Sequence, residues 1–225
     1  MKSKFSTKKV FEFLLGTALN AMGISLITKA YLGTSPLSSV PFVLSLGLKP
    51  SFGTFTFILN MLFLLLQILL LKKSFPKMQF LQIPVTIFFG FLIDVFMYMF
   101  QEIKPVYYFS SLILLVIGCA VMAFGIMISV HADLVTTPGN SLVQALSNCT
   151  KVKFGNMKIA LDCTLSAIAV ICSFMLFDTF RGVREGTLIS AILVGVFINL
   201  FQRYAPSAKA EVDIETNTVA FISDP

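Results

Sequence analysis

Two short polar stretches in an otherwise apolar chain carry residue types that bind solutes. They are Thr34-Ser35-Pro36 and Thr136-Thr137-Pro138. A hydroxyl residue followed by proline is typical of a helix start, with the hydroxyl side chain as the N-cap and proline in the first turn. The N–H groups of a first turn have no partner within the helix, so they suit an anion or a polar group of a solute. These six residues are the predicted solute-binding residues.

Four further polar residues interrupt apolar runs: Asn60, Asp94, Asp162 and Asn199. Ionisable side chains are costly within a bilayer and usually face a cavity or a partner. An aspartate in apolar surroundings readily takes up a proton. One hypothesis is that Asp94 and Asp162 couple proton or cation movement to a solute. The alternative is a structural role, either in hydrogen bonds between helices or, for Asp162, in an ion pair with Lys158 one turn earlier.

The two Pro-containing stretches belong to an internal repeat. Residues 16–60 align with residues 118–162 without a gap, and glycine, proline and threonine stay in register. In this alignment Asn60 pairs with Asp162. Placing Gly90 on Gly195, at an offset of 105 residues and not the 102 of that alignment, pairs Asp94 with Asn199. The chain therefore arose by tandem duplication.

The composition indicates a membrane protein. The chain has 225 residues, of which 56% are hydrophobic and 12% are charged, whereas soluble domains are about 25% charged. Six apolar runs approach the roughly 20 residues that cross a bilayer as a helix. The predicted spans are residues 10–30, 52–71, 80–100, 109–130, 154–177 and 186–201. The predicted fold is an all-α integral membrane protein with six transmembrane helices.

The spans divide the chain into four predicted segments. These are a cytoplasmic basic N-terminus (1–9), a first membrane repeat (10–107), a second membrane repeat (108–202) and a cytoplasmic polar tail (203–225). Lys and Arg are more numerous on the side of the N-terminus, which predicts that both termini are cytoplasmic. Because each repeat has an odd number of spans, the second repeat enters from the opposite side, giving an inverted repeat.

Each repeat also contains a short predicted helix after its Pro-containing stretch, at residues 37–48 and 139–150. At 1.5 Å per residue each is roughly 18 Å long, too short to span a bilayer. Both could lie at the interface, or they could be re-entrant and enter from opposite faces so that their N-termini meet near the midplane. The sequence leaves these two alternatives open.

Several functions are not expected. The net charge of +6 comes from basic residues at helix ends, a pattern that predicts membrane topology and no nucleic-acid binding. A single histidine, His131, without clustered acids predicts no metal site, and no cofactor is expected. The chain has no nucleophile and base at matched spacing, so no enzymatic activity is expected.

The repeat motifs resemble the YczE/YyaS/YitT group of bacterial membrane proteins. The resemblance rests on Gly16 and Gly23, on Leu32-Gly33-Thr34-Ser35-Pro36, on Phe52-Gly53, and on Arg184-Glu185-Gly186-Thr187 before the last span. It covers most of residues 8–203. It implies a small multi-pass protein of the bacterial cytoplasmic membrane and brings no substrate or catalytic residues with it.

The predicted function is small-solute transport by alternating access, with the solute at the repeat interface. The alternative is a membrane-embedded sensor or accessory subunit that regulates a partner protein. A cavity lined by Asp94 and Asp162 would favour transport, and an exposed face at Gly16 and Gly23 would favour the partner role. The expected partners are the lipid bilayer and a small-molecule or anionic solute, and a homodimer is left open because six spans are few for a transporter.

Overall fold

The computed structural model describes residues 7–72, 75, 77–132, 134–135, 137–152, 154–179 and 181–204. The predicted basic N-terminus before Thr7 and the predicted polar tail after Tyr204 lie outside the described residues, and so does Thr136. The described part of the chain contains helices, turns and loops and no strand. The prediction of an all-α fold is confirmed for these residues.

Eight α-helices follow one another along the described chain. They are α1 (Thr7–Lys29), α2 (Pro36–Gly47), α3 (Phe52–Leu71), α4 (Gln82–Met99), α5 (Tyr108–His131), α6 (Pro138–Thr150), α7 (Phe154–Phe177) and α8 (Glu185–Tyr204). A 3₁₀ turn, Lys77–Leu81, precedes α4. The two short helices α2 and α6 begin at proline, as the sequence predicts.

Five of these helices are long and apolar enough to cross a membrane. They are α1, α3, α4 with the end of its 3₁₀ turn, α5, and α7 from Gly155 onward. Within the described residues, the apolar stretch Glu185–Ile198 of α8 is shorter than these five helices. Large apolar side chains on these helices face outward, including Leu69, Phe91 and Met175. These features indicate a protein embedded in a membrane.

Helices α1 and α5 form the most extensive helix pair in the described structure. They run antiparallel and contact each other at glycines. Gly16 lies against Gly125 and Ser129, and Gly23 lies against Gly118 and Met122. A Cβ atom at any of these four glycines would collide with the facing helix. Small residues allow helix backbones to approach closely in lipid, where dispersion forces and not water exclusion hold helices together. The face formed by Gly16 and Gly23 is therefore buried within the protein.

The remaining pairs follow a regular scheme. Helix α4 packs on α1, and α8 packs on α5. Helix α2 packs on α7 and α3, and α6 packs on α3 and α7. One apolar cluster joins all four of the latter helices through Val43 of α2, Phe63 of α3, Leu142 of α6 and Leu165 of α7. The two short helices are thus surrounded by long ones.

Helices α3 and α4 contact each other closely at two glycines, whereas the corresponding glycines of their repeat counterparts, α7 and α8, make no such contact. Gly53 of α3 and Gly90 of α4 approach so closely that a Cβ on either would meet the other's backbone. The glycines paired with them in the repeat, Gly155 of α7 and Gly195 of α8, have no neighbouring atom within 4 Å of a Cβ position. The first repeat is therefore closed at this point and the second is open.

Candidate functional site

The start of α2 is a buried cluster of hydroxyl side chains. Thr34 is 0% exposed and Ser35 is 5% exposed. The Thr34 hydroxyl lies 3.0 Å from the hydroxyl of Thr28, which also donates to the Ile24 carbonyl at 2.8 Å. The Ser39 hydroxyl donates to the Pro36 carbonyl at 2.6 Å. The first turn of α2 therefore satisfies its own oxygen atoms with short side chains from nearby in sequence.

The hydroxyl N-caps predicted for the two short helices are not formed. Ser35 and Thr137 occupy the N-cap positions with extended backbone, and proline follows each, but neither side chain caps a backbone N–H group. Ser35 instead donates to the Ser38 hydroxyl at 3.1 Å. The N–H groups after each proline thus lack the usual side-chain acceptor.

The start of α6 is built from longer side chains that come from the other repeat. Gln67 of α3 donates from Nε2 to the Pro138 carbonyl at 2.9 Å. Gln82 of α4 donates from Nε2 to the Ser141 hydroxyl at 3.0 Å. Pro138 and Ser141 are the repeat counterparts of Pro36 and Ser39, which bond to each other in α2. At the start of α6, hydrogen bonds from two glutamines of the first repeat therefore take the place of the local Ser39–Pro36 hydrogen bond of α2.

Four oxygen atoms at the two helix starts are buried and have no hydrogen-bond partner. They are Gln67 Oε1, Gln82 Oε1, Thr86 Oγ1 and Thr187 Oγ1. Each of these side chains is at most 1% exposed. A buried polar atom without a partner costs about 1 to 3 kcal/mol. Gln67 and Gln82 contact the first turn of α6, Thr86 lies one turn after Gln82 on α4, and Thr187 lies beside Gly33 near the start of α2.

The first turns of the two short helices lie close to each other. The Leu37 side chain of α2 is in contact with Gly139 of α6, and these two residues are paired by the repeat. The first residues of both helices are buried, whereas the last residues, from Leu46 in α2 and from Asn148 in α6, are exposed. The two starts also differ in exposure, because Thr137 is exposed whereas Thr34 and Ser35 are buried.

Asp94, a residue of α4, lies beside the start of α3 and accepts hydrogen bonds from residues there. Its Oδ1 accepts from the Gly53 N–H at 2.7 Å, and its Oδ2 accepts from the Ser51 hydroxyl at 2.5 Å. A carboxylate at a helix N-terminus is favoured by the partial positive charge of the first turn. The geometry gives Asp94 a role in joining α4 to α3, and its coupling of protons stays a prediction.

Asp162 pairs with Lys158 one turn earlier on α7, the structural alternative raised by the sequence. Lys158 Nζ lies 2.9 Å from Asp162 Oδ1, and both side chains are about three-quarters buried, at 28% and 23% exposed. Asp94 and Asp162 share no hydrogen-bond partner in the described structure. Asn60 is half-buried in α3, Asn199 lies in α8, and the side chain of Asn199 is outside the described part.

Two recesses on the described part of the surface are not lined by an aspartate. One, of about 390 Å³, lies between the α4–α5 loop and α5, and is lined by Lys104, Pro105 and Ile113 among others. The other, of about 200 Å³, is an apolar groove between α2 and α3, lined by Pro41, Phe55 and Ile58 among others. Neither recess therefore matches the aspartate-lined cavity that would favour transport.

Comparison with known proteins identifies the family and goes no further. No curated protein and no solved structure matches the chain. The chain matches the model of DUF6198, a family of unknown function, over residues 7–203. This range contains all eight helices except the last residue of α8. The chain therefore belongs to the DUF6198 family of unknown function.

Proposed function

We propose that this protein is a small-solute transporter of alternating-access type, built from two inverted repeats of three spans. Helix α8 is the sixth span, since its 20 residues reach about 30 Å. Both termini lie in the cytoplasm of a bacterial cell, as the charge distribution and the resemblance to the YczE/YyaS/YitT group imply. The solute binds where the first turns of α2 and α6 approach each other.

Reciprocal contacts support the inverted repeat. Gly16 pairs with Gly125 and Gly23 pairs with Gly118, so exchanging the two repeats maps each contact onto the other. The same exchange maps the α1–α4 contact onto the α5–α8 contact, and the α2–α7 contact onto the α3–α6 contact. The contact of Leu37 with its own repeat partner, Gly139, is the kind of contact expected at a pseudo-two-fold axis, and it supports this arrangement.

The observation that carries the transport proposal is a difference between equivalent positions. In α2 the residues before the proline, Thr34 and Ser35, are buried, whereas in α6 the corresponding Thr137 is exposed. An alternating-access transporter has one half closed and the other open in any one state, and exchange of the two arrangements moves the opening across the membrane. A structure with one sealed and one exposed helix start fits this scheme.

The test is solute flux in proteoliposomes. Purified protein is reconstituted, and uptake is followed for a panel of anionic, cationic and uncharged solutes with a pH-sensitive dye inside the vesicles. Asp94→Asn and Asp162→Asn are measured in parallel. Solute-dependent flux that requires the protein would support transport, and loss of the accompanying proton movement in one variant would identify a coupling residue. No flux with any solute, from folded protein, would contradict the proposal.

One observation favours the alternative of an accessory subunit. Gly155 and Gly195 face outward with open space beside them, where their repeat counterparts hold two helices together. A partner helix could pack at this place by the same close approach of backbones. Under this alternative the protein would co-purify with a partner, and Gly195→Val would release that partner without affecting the fold.

A further inference from the structure

The buried polar atoms around the start of α6 form a cluster that is incomplete as it stands. Gln67 and Gln82 are 0% exposed and Thr86 is 1% exposed, yet each keeps an oxygen without a partner. Thr86 follows Gln82 by one turn on α4, so both point to the same side of that helix. Both glutamine side chains reach the first turn of α6. We call Gln67, Gln82, Thr86 and Ser141 the α6 cluster.

The orientation of the Gln67 amide is set by its partner. The Pro138 carbonyl only accepts hydrogen bonds, so Gln67 must turn its NH₂ group to it, at 2.9 Å, and present Oε1 elsewhere. The Ser141 hydroxyl both donates and accepts, so one end of the Gln82 amide stays without a partner whichever way it is turned. The cluster therefore offers acceptors from the glutamines, beside the uncapped N–H donors of the α6 first turn.

The cluster carries no ionisable side chain, and this restricts its ligand. An ion taken out of water needs a countercharge or a full set of hydrogen bonds, and the four side chains supply no charge. An uncharged molecule with both donors and acceptors would satisfy the unpartnered oxygens without that cost. The equivalent position at α2 offers fewer free acceptors, because Ser39 already bonds to Pro36, the counterpart of Gln67 is Ala169, and Thr187 Oγ1 is the unpartnered oxygen described there.

We infer that the α6 cluster binds a small uncharged solute of the amide or polyol class through the unpartnered oxygens of Gln67, Gln82 and Thr86. This inference rests on the proposed function in naming the class of solute that is transported. It makes the two helix starts unequal, with the solute held at the start of α6 by glutamines of the first repeat, and not at the start of α2. Thr137, which is exposed, precedes Pro138, whose carbonyl accepts from Gln67.

Binding is tested with a matched pair of probes, acetamide and acetate, which have the same shape and differ in charge. Saturation-transfer NMR on the full-length protein in detergent measures which probe binds, and glycerol serves as a second uncharged probe. We expect acetamide and glycerol to bind and acetate not to bind. Binding of acetate in preference to acetamide, or binding of neither uncharged probe, would overturn the inference.

Thr86→Val is the decisive variant. The Thr86 hydroxyl makes no hydrogen bond in the protein, so its removal leaves the fold intact, while loss of one ligand hydrogen bond weakens acetamide binding about fivefold. Gln82→Leu should abolish binding. Thr17→Val is the matched control, since Thr17 is buried in α1 and bonds to its own helix at Phe13. Unchanged acetamide binding in Thr86→Val would overturn the assignment.

Flux measurements separate this inference from the proposed function. Stopped-flow light scattering of proteoliposomes reports the entry of acetamide and glycerol. Acetamide binding without flux would keep the α6 cluster as a binding site and contradict transport. Flux of a charged solute, unaffected by Gln82→Leu and without acetamide binding, would support transport and overturn the assignment of an uncharged solute.

Discussion

The backbone N–H of Gly53 donates a 2.7 Å hydrogen bond to the carboxylate of Asp94. The aspartate, on α4, thereby caps the first turn of α3, alongside the Ser51 hydroxyl. Gly53 is required here because a Cβ would meet the Gly90 carbonyl and the Asp94 carboxylate. An aspartate within an apolar helix is thus held by a helix end that is electrostatically suited to it.

Replacing Asp94 tests this capping role. Asp94→Ala leaves the Gly53 N–H and the Ser51 hydroxyl without their acceptor, so we expect a loss of about 1 to 3 kcal/mol in the free energy of unfolding. Asp94→Asn keeps one acceptor oxygen and should lose less. Thermal unfolding in detergent measures both. Equal stability of the alanine variant and the wild type would show that the cap contributes nothing, and a stable but inactive asparagine variant would point to proton coupling.

The glycines of the α1–α5 crossing should respond differently from those of the second repeat. Gly125→Ala places a methyl group where Asn20 and the Gly16 carbonyl already lie, and such overpacking typically costs about 1 to 3 kcal/mol. Gly195→Ala has open space beside it and gains up to about 1 kcal/mol from helix propensity. Thermal unfolding of the two variants should shift in opposite directions. A shift of both variants in the same direction would contradict the packing of α1 against α5.

The ion pair between Lys158 and Asp162 on α7 predicts how the stability of the protein depends on these two charges. Asp162→Asn leaves Lys158 largely buried without its partner, and breaking a buried pair destabilises by up to about 3 to 5 kcal/mol, less for this partly exposed one. The double variant Lys158→Met, Asp162→Asn removes both charges and should recover most of the stability. A double variant that is stable but cannot transport would show that Asp162 serves function. Equal instability of the single and double variants would rule out the pair as the cause.

Much of the fold can be predicted from sequence patterns that extend over many residues, namely the apolar runs and the internal repeat. Apolar runs near 20 residues predict the long helices, and the Pro36 and Pro138 motifs place the starts of α2 and α6 correctly. The glycine register predicts which positions are small, but not that Gly16 faces Gly125 rather than a lipid or another copy. Only the three-dimensional packing decides that choice, since close approach in lipid is available to any small-residue face.

The polar atoms of the site were harder to predict. Hydroxyl residues before Pro36 and Pro138 predict N-caps, but at α2 the hydroxyls of Thr34 and Ser35 bond to other hydroxyl groups in the buried cluster, and at α6 Thr137 makes no cap. Gln67 and Gln82 carried a usable signal, because an amide within an apolar span is expected to seek a partner. Their common target on α6 depends on contacts between repeats, which local sequence does not contain.

The most direct test of the account is side-specific labelling of the two helix starts. Ser35→Cys and Thr137→Cys are made after the native cysteines, two of which are exposed, have been replaced by alanine. A membrane-impermeant thiol reagent is then applied from either face. We predict that the two positions react from opposite faces, and that bulky modification of Thr137→Cys suppresses reaction at Ser35→Cys in the double variant. Reaction of both from one face, or independent reaction rates, would contradict alternating access.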